Sequence, residues 1–227
     1  MRAMILAAGR GERMRPLTDR TPKPLLTVGG IPLIEHAIAR LHSAGYRDLV
    51  INLGHLGAQI EERLGTGERL GVAVRYSREP PGALETAGGI REALPWLGEA
   101  PFLVINGDIW CDHPLRPPVL EPATLAHLVL AANPAHHPGG DFTLEAGRVG
   151  LSGGHRHTFS GIGWYRPELF AELPRGRRPL APVLRAAIAD GRVAGELHTQ
   201  TWIDIGTPDR LEQLDRAYRK GHPDVPA

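Results

Sequence analysis

One cysteine, two lysines and almost no net charge stand out among 227 residues, and each shortage excludes something. With Cys111 alone there is no intramolecular disulfide framework, which suits a reducing compartment. Lys and Arg number 26 against 25 Asp and Glu, so the positive excess behind sequence-independent nucleic-acid binding is missing. No segment reaches the ~18 uncharged apolar residues of a membrane span. The longest uncharged run, 122–135, is shorter and carries His127. The apolar start mimics a signal peptide, but its apolar part is too short and runs straight into Arg10, Glu12 and Arg13. A cytoplasmic protein with no membrane and no nucleic-acid partner is the expectation. Lysine occurs only as Lys23 and Lys220, so arginine carries nearly all the positive charge.

What is present describes a folded α/β domain. The hydrophobic share of 42% argues against disorder, and 28 Gly with 21 Pro call for many turns. The length fits a single domain over 1–220, with a flexible tail at 221–227. Apolar runs of strand length at 3–8, 48–53, 72–76 and 102–106 alternate with helical patterns at 32–44, 56–64 and 86–97. Such alternation predicts a Rossmann-like, mixed but mostly parallel sheet flanked by helices, with ligands beyond the carboxyl ends of the strands. In the second half, strands are expected at 125–132, 158–165 and 195–199, helices near 167–173 and at 181–190, and a turn-rich stretch at 134–157. Thr207 followed by Pro208 reads as the N-cap and first residue of a last helix reaching Arg219.

The chemistry concentrates at the strand ends. After the first strand come Ala8-Gly9-Arg10-Gly11-Glu12-Arg13-Met14-Arg15-Pro16-Leu17-Thr18 and then Pro22-Lys23-Pro24. Glycines that let backbone N–H groups approach an anion, with three arginines in six residues, make a polyphosphate cradle. It is neither a Walker A loop, for want of Gly-Lys-Ser/Thr, nor the dinucleotide fingerprint, since Met14 stands at the third glycine. Prolines on both sides stiffen Lys23, a compact point charge for a phosphate. Asn106-Gly107-Asp108 ends one apolar strand, and Asp204 ends another apolar stretch before the last helix. Two such carboxylates suit one Mg2+ between phosphates. Cys111 reads as a buried or inert thiol, and His136-His137 and His155-x-His157 as loop histidines that no further ligand completes into a zinc site. No activated nucleophile is apparent.

These residues together, over positions 1 to about 215, resemble the sugar-phosphate nucleotidyltransferases. The resemblance implies the nucleotide-diphospho-sugar transferase fold and an Mg2+-dependent enzyme that joins a nucleoside triphosphate to a sugar 1-phosphate and releases pyrophosphate. It implies nucleotide contacts at Ala8, Gly9, Gly11, Glu12, Arg13 and Lys23, with Glu79 and Gly88 near the base. Asn106, Asp141 and Glu145 would meet the sugar, and Asp108 and Asp204 would hold the metal. Catalysis would rest on Arg13, Lys23 and Asp108. Within the family, Leu84-Glu85-Thr86-Ala87-Gly88-Gly89, Gly140-Asp141-Phe142 and 202–208 look most like members that use UTP and N-acetyl-α-muramate 1-phosphate in cell-wall recycling. Guanylyl transfer to mannose 1-phosphate, and thymidylyl or uridylyl transfer to glucose 1-phosphate, are the alternatives. A silent nucleotide-binding regulator is the alternative from another class. For the lactyl carboxylate of a muramate, Arg148, His155, Arg156 and His157 are candidate cations. Glu85 departs from the glycine that many members carry there. The hexapeptide-repeat acetyltransferase domain of some relatives is not expected here, and a monomer or weak homo-oligomer is.

Overall fold

A computed structural model describes residues 1–80 and 84–221. In chain order the elements are β1 (Ala3–Leu6), β2 (Thr27–Val28), β3 (Ile31–Pro32), α1 (Leu33–Ser43), β4 (Asp48–Leu53), α2 (Gly57–Leu64), β5 (Ala73–Arg78), α3 (Glu85–Leu97), β6 (Phe102–Asn106) and β7 (Ile109–Cys111). There follow β8 (Ala126–Ala131), β9 (Phe142–Glu145), β10 (Arg148–Gly150), β11 (Arg156–Tyr165), α4 (Glu168–Ala171), α5 (Leu180–Ala189), β12 (Val193–His198), β13 (Trp202–Asp204) and α6 (Pro208–Arg219).

Nine strands form one sheet in the order β5-β4-β1-β6-β11-β8-β12-β10-β9. The expected mixed, mostly parallel sheet is present, with only β10 and β11 running against the rest. Successive side chains of a strand point to opposite faces, and the apolar runs are apolar on both. Ile5 and Ile51 pack under Ile34, Ile38 and Leu41 of α1 and Ile60 of α2. Their neighbours Met4 and Val50 face the other way, against Ala87, Ile90 and Ala93 of α3. At about 25 cal/mol per Å2 of apolar surface, burial on both faces is what drives these runs to the sheet centre.

Several boundaries moved for identifiable reasons. The first strand stops at Leu6, because Ala7 and Ala8 already leave the ladder and Ala7 N–H donates to Asn52 Oδ1 at 2.7 Å. The turn-rich stretch contains the hairpin β9–β10, whose strands of 4 and 3 residues are too short to show a period. β11 begins at Arg156 because Arg156 and His157 pair with Thr143 and Phe142 of that hairpin. Thr207 caps α6 as expected, its side chain accepting from the Arg210 N–H at 3.4 Å. Of the expected tail, the residues after Gly221 lie outside those described.

β7 and β13 form a separate two-stranded antiparallel ribbon with Asp204 across from Ile109 and Trp202 across from Cys111. It starts just after β6 at the carboxyl edge of the sheet, and its other end, at Cys111, is buried in the core.

Candidate functional site

The carboxyl ends of β1, β4 and β6 converge in register, with Leu6 paired to both Asn52 and Asn106. Beyond them opens a cleft of about 390 Å3 walled by Ala8, Gly9, Gly11, Glu12, Arg13, Lys23, Asn52, Glu79, Glu85, Thr86, Asn106 and Asp108 among others. This is the edge at which an α/β sheet binds its ligands. The expected residues of the glycine loop, Lys23, Glu79, Asn106 and Asp108 therefore meet on one surface.

Local geometry explains the loop. Gly11 takes φ 67°, a left-handed conformation that suits glycine, and a Cβ there would sit 2.9 Å from a Thr18 methyl. Thr18 in turn donates its hydroxyl to Gly11 O at 2.8 Å. Met14, fully buried, packs with Val28, Leu33 and Ile205 and anchors the loop from below. The three arginines divide their labour. Arg10 donates to Thr18 O and to Asp19 Oδ1, both at 2.7 Å, and Arg15 pairs with Glu12 at 3.2 Å and Asp19 at 3.3 Å. Those two brace the loop rather than face a ligand. Arg13 makes no hydrogen bond or ion pair among the described residues, so its guanidinium is the uncommitted cation of the cradle.

Lys23 is buried, starts a short 3-10 turn and pairs its Nζ with Asp108 Oδ2. Asp108 reaches that point because Gly107 packs against β1: its N–H donates to Leu6 O at 3.0 Å, and a Cβ there would sit 2.7 Å from that oxygen. The ribbon brings Asp204 to the same end, with Ile205 N–H donating to Asp108 O at 3.0 Å. Arg210 donates to Asp204 Oδ2 at 2.9 Å, and His136 Nε2 stands 3.4 Å from the same oxygen. A Cβ on Gly206 would be 3.1 Å from both Arg13 Nη2 and Asp204 Oδ2, which places that guanidinium beside the second carboxylate. Two hard-oxygen donors at one end of a ribbon fit a divalent cation such as Mg2+.

Other expected site residues are placed differently. Gly88 does not line the cleft. It lies in α3 beneath the 176–178 loop, where a Cβ would be 2.4 Å from Gly176 O, and its N–H donates to Arg178 O at 3.1 Å. Gly88→Ala is therefore expected to lift this loop off the first turn of α3, which carries Glu85 and Thr86. A rise of about tenfold in KM for the nucleotide, with kcat little changed, is the expected steady-state result. Glu145 is exposed at the end of β9 and paired in the hairpin with Arg148. Asp141 spends its carboxylate locally, accepting Phe159 N–H at 2.8 Å while His137 stands 3.2 Å away. Neither borders the cleft. The proposed carboxylate readers are dispersed: Arg148 donates to Gly191 O, Arg156 donates to Leu151 O at 2.6 Å, and His155 and His157 stack edge to face at 4.8 Å.

Residues not anticipated complete the wall. Asn52 holds Ala7 N–H with its oxygen and donates to Glu79 Oε1 at 2.7 Å, while Glu79 Oε2 accepts Leu84 N–H at 2.9 Å. Its signal was a polar residue near the carboxyl end of an otherwise apolar strand, the same signature that marked Asn106. Glu85 keeps the left-handed φ of 57° that a glycine would favour. Arg177 holds its carboxylate through Nε at 2.7 Å and Nη2 at 2.6 Å. His136 and Arg210 lie 68 and 6 positions from Asp204, and no spacing rule links the former to it.

The chain belongs to the nucleotidyl transferase family, whose profile matches residues 2–133. Over nearly its full length it is similar to the N-acetylmuramate alpha-1-phosphate uridylyltransferase of Neisseria meningitidis, at 52% identity covering 94% of this chain and 96% of that protein. The protein of the same name from Caulobacter vibrioides is 36% identical, covering 91% and 92%. The mannose-1-phosphate guanylyltransferase of Mycobacterium tuberculosis is 28% identical over 91% of this chain but 61% of its own length. In fold, a Bacillus anthracis protein assigned as a glucose-1-phosphate thymidylyltransferase superposes with a TM-score of 0.85 at 23% identity, covering 100% of this chain and 97% of that one.

Proposed function

We propose that this enzyme transfers the uridylyl group of UTP to N-acetyl-α-muramate 1-phosphate, giving UDP-N-acetylmuramate and pyrophosphate. The observation that carries the reading is the 52% identity to a uridylyltransferase of that acceptor across almost the whole of both chains. The cleft supports it: a glycine loop with one uncommitted arginine, and a buried lysine paired with Asp108, suit a triphosphate, while Asp204 stands outside the cleft lining, beside Arg13.

In the reaction a phosphate oxygen of the acceptor attacks the α-phosphorus of UTP, and the bond from that phosphorus to the β-phosphate oxygen breaks. The leaving pyrophosphate takes the electron pair. The attacking oxygen is already ionised, so no general base is needed, in keeping with the lack of an activated nucleophile. The chain's task is to bring two anions together and spread their charge. Arg13 and the loop amides of Gly9 and Gly11 are placed to hold the departing phosphates. Lys23 neutralises charge near the α-phosphate. Asn106, at the end of β6, is placed for the acceptor. Asp108 and Asp204 are the residues that would hold a divalent cation. When bound, Mg2+ would supply Lewis-acid neutralisation of phosphate oxygens.

The test is release of pyrophosphate from UTP and N-acetyl-α-muramate 1-phosphate with Mg2+, beside a panel of UTP, dTTP, GTP and CTP. Turnover with UTP and this acceptor is the expected result. Silence there, with vigorous turnover of GTP and mannose 1-phosphate, would overturn the assignment.

A further inference from the structure

The end of the β7–β13 ribbon away from the cleft carries a second group of metal-ligating side chains. Cys111 closes β7, Asp112 follows it and His198 closes β12. One ligand atom from each lies within 4.8 Å of the other two. His198 Nε2 faces Asp112 Oδ1 at 2.7 Å and the Thr201 carbonyl oxygen at 3.2 Å. A ring nitrogen aimed between two oxygens stands where a cation can replace its proton. The sulfur accepts the His113 backbone N–H at 3.4 Å, a contact that favours the thiolate a metal requires.

We infer that Cys111, Asp112 and His198 form a zinc site separate from the catalytic cleft. Sulfur, imidazole nitrogen and carboxylate oxygen are the donors zinc takes in tetrahedral sites, whereas Mg2+ avoids thiolates. A thiolate and a carboxylate together neutralise Zn2+, and Arg40, which lies against both Cys111 and Asp112, also donates to His113 O at 3.4 Å and so keeps a backbone partner when they turn to a metal. Access exists: Arg40, Cys111, Asp112, His113 and Arg116 line an open groove of about 690 Å3. His113 and His127, which flank Glu196 at 3.4 and 3.3 Å, stand behind the site as a separate polar group.

The site has a structural consequence. The ribbon pairs Trp202 with Cys111 at one end and Asp204 with Ile109 at the other. A metal held by Cys111 and Asp112 at the end of β7 and by His198 at the end of β12 would tie the strand that follows Asp108 to the strand that leads through 199–201 into β13 and Asp204. It would act as a positioning element for the cleft.

The experiment titrates the reduced, metal-free full-length protein with Co2+ and follows its absorption. The expected result is one equivalent bound with a thiolate-to-cobalt charge-transfer band, displaced by Zn2+. Cys111→Ser and His198→Ala should each lose the band, and Asp108→Asn should keep it, because the cleft offers a cation only oxygens. Circular dichroism establishes that each variant is folded, and the exposed Asp112→Asn serves where a buried replacement is not. Absence of the band in folded wild-type protein overturns the site. So does a band that survives in folded Cys111→Ser or His198→Ala, or one that vanishes in Asp108→Asn. The readout is independent of catalysis, so a different nucleotide or acceptor would leave it untouched.

Discussion

Asp108→Asn is expected to lower turnover by about a thousandfold while the nine-stranded sheet stays folded. The side chain changes by one atom and one charge, and the backbone contacts that place it survive. Gly107 N–H still reaches Leu6 O, and Asp108 O still accepts Ile205 N–H. What disappears is the negative charge that would hold a divalent cation and that pairs Lys23. Removing one preorganised electrostatic group from a catalytic site costs about 10²–10³ in kcat. Asp108 pairs Lys23 and, in the proposed mechanism, would hold a divalent cation as well, so the upper end is the expectation. Pyrophosphate release at saturating substrates, with circular dichroism on the same sample, measures both halves of the claim. Undiminished turnover would remove Asp108 from the mechanism.

Lys23→Arg should cost about a hundredfold in kcat/KM despite conserving charge. Lys23 is the only lysine in the folded core of a chain that otherwise relies on arginine, and its side chain is only 10% exposed. Pro22 and Pro24 fix its backbone, and the Cβ direction of Gly11 points at its stem from 3.4 Å. A planar fork is wider than an ammonium, and in this buried position it would deliver its charge at a different depth. Displacement of a charged group by about 1 Å from a reacting centre is enough for a loss of 10²-fold. Steady-state kinetics with the folded variant decide it, and near-normal kcat/KM would mean that any cation serves.

Much of this was legible before any coordinates. Residues 48–53 and 102–106 are strands at the bounds the sequence indicates, because buried parallel strands read as short continuous apolar runs, and their length and Val, Ile and Leu content separate them from helices. The glycine loop and Lys23 were legible because their chemistry is compressed into 16 consecutive positions from Ala8 to Lys23. Hidden were features built from distant pieces. The ribbon that joins Asp108 to Asp204 has strands of 3 residues, below any periodic signal. His136 beside Asp204, and His198 beside Cys111, depend on tertiary contacts with no sequence spacing to betray them. Gly88 near the base is an implication of the family resemblance, yet a helix turns successive residues by about 100°, and of that motif Glu85 and Thr86 line the cleft while Gly88 does not.

The contact between Lys23 and Asp108 bears on the order in which ligands arrive. Each group neutralises the other, so a phosphate approaching Lys23 or a metal ion approaching Asp108 must first break an existing attraction. Either ligand alone loses part of its binding energy to that exchange. Arriving together as a metal–nucleotide complex, they give each group a new partner at once. Nucleotide and divalent cation should therefore bind with positive cooperativity, each tightening the other by the same factor.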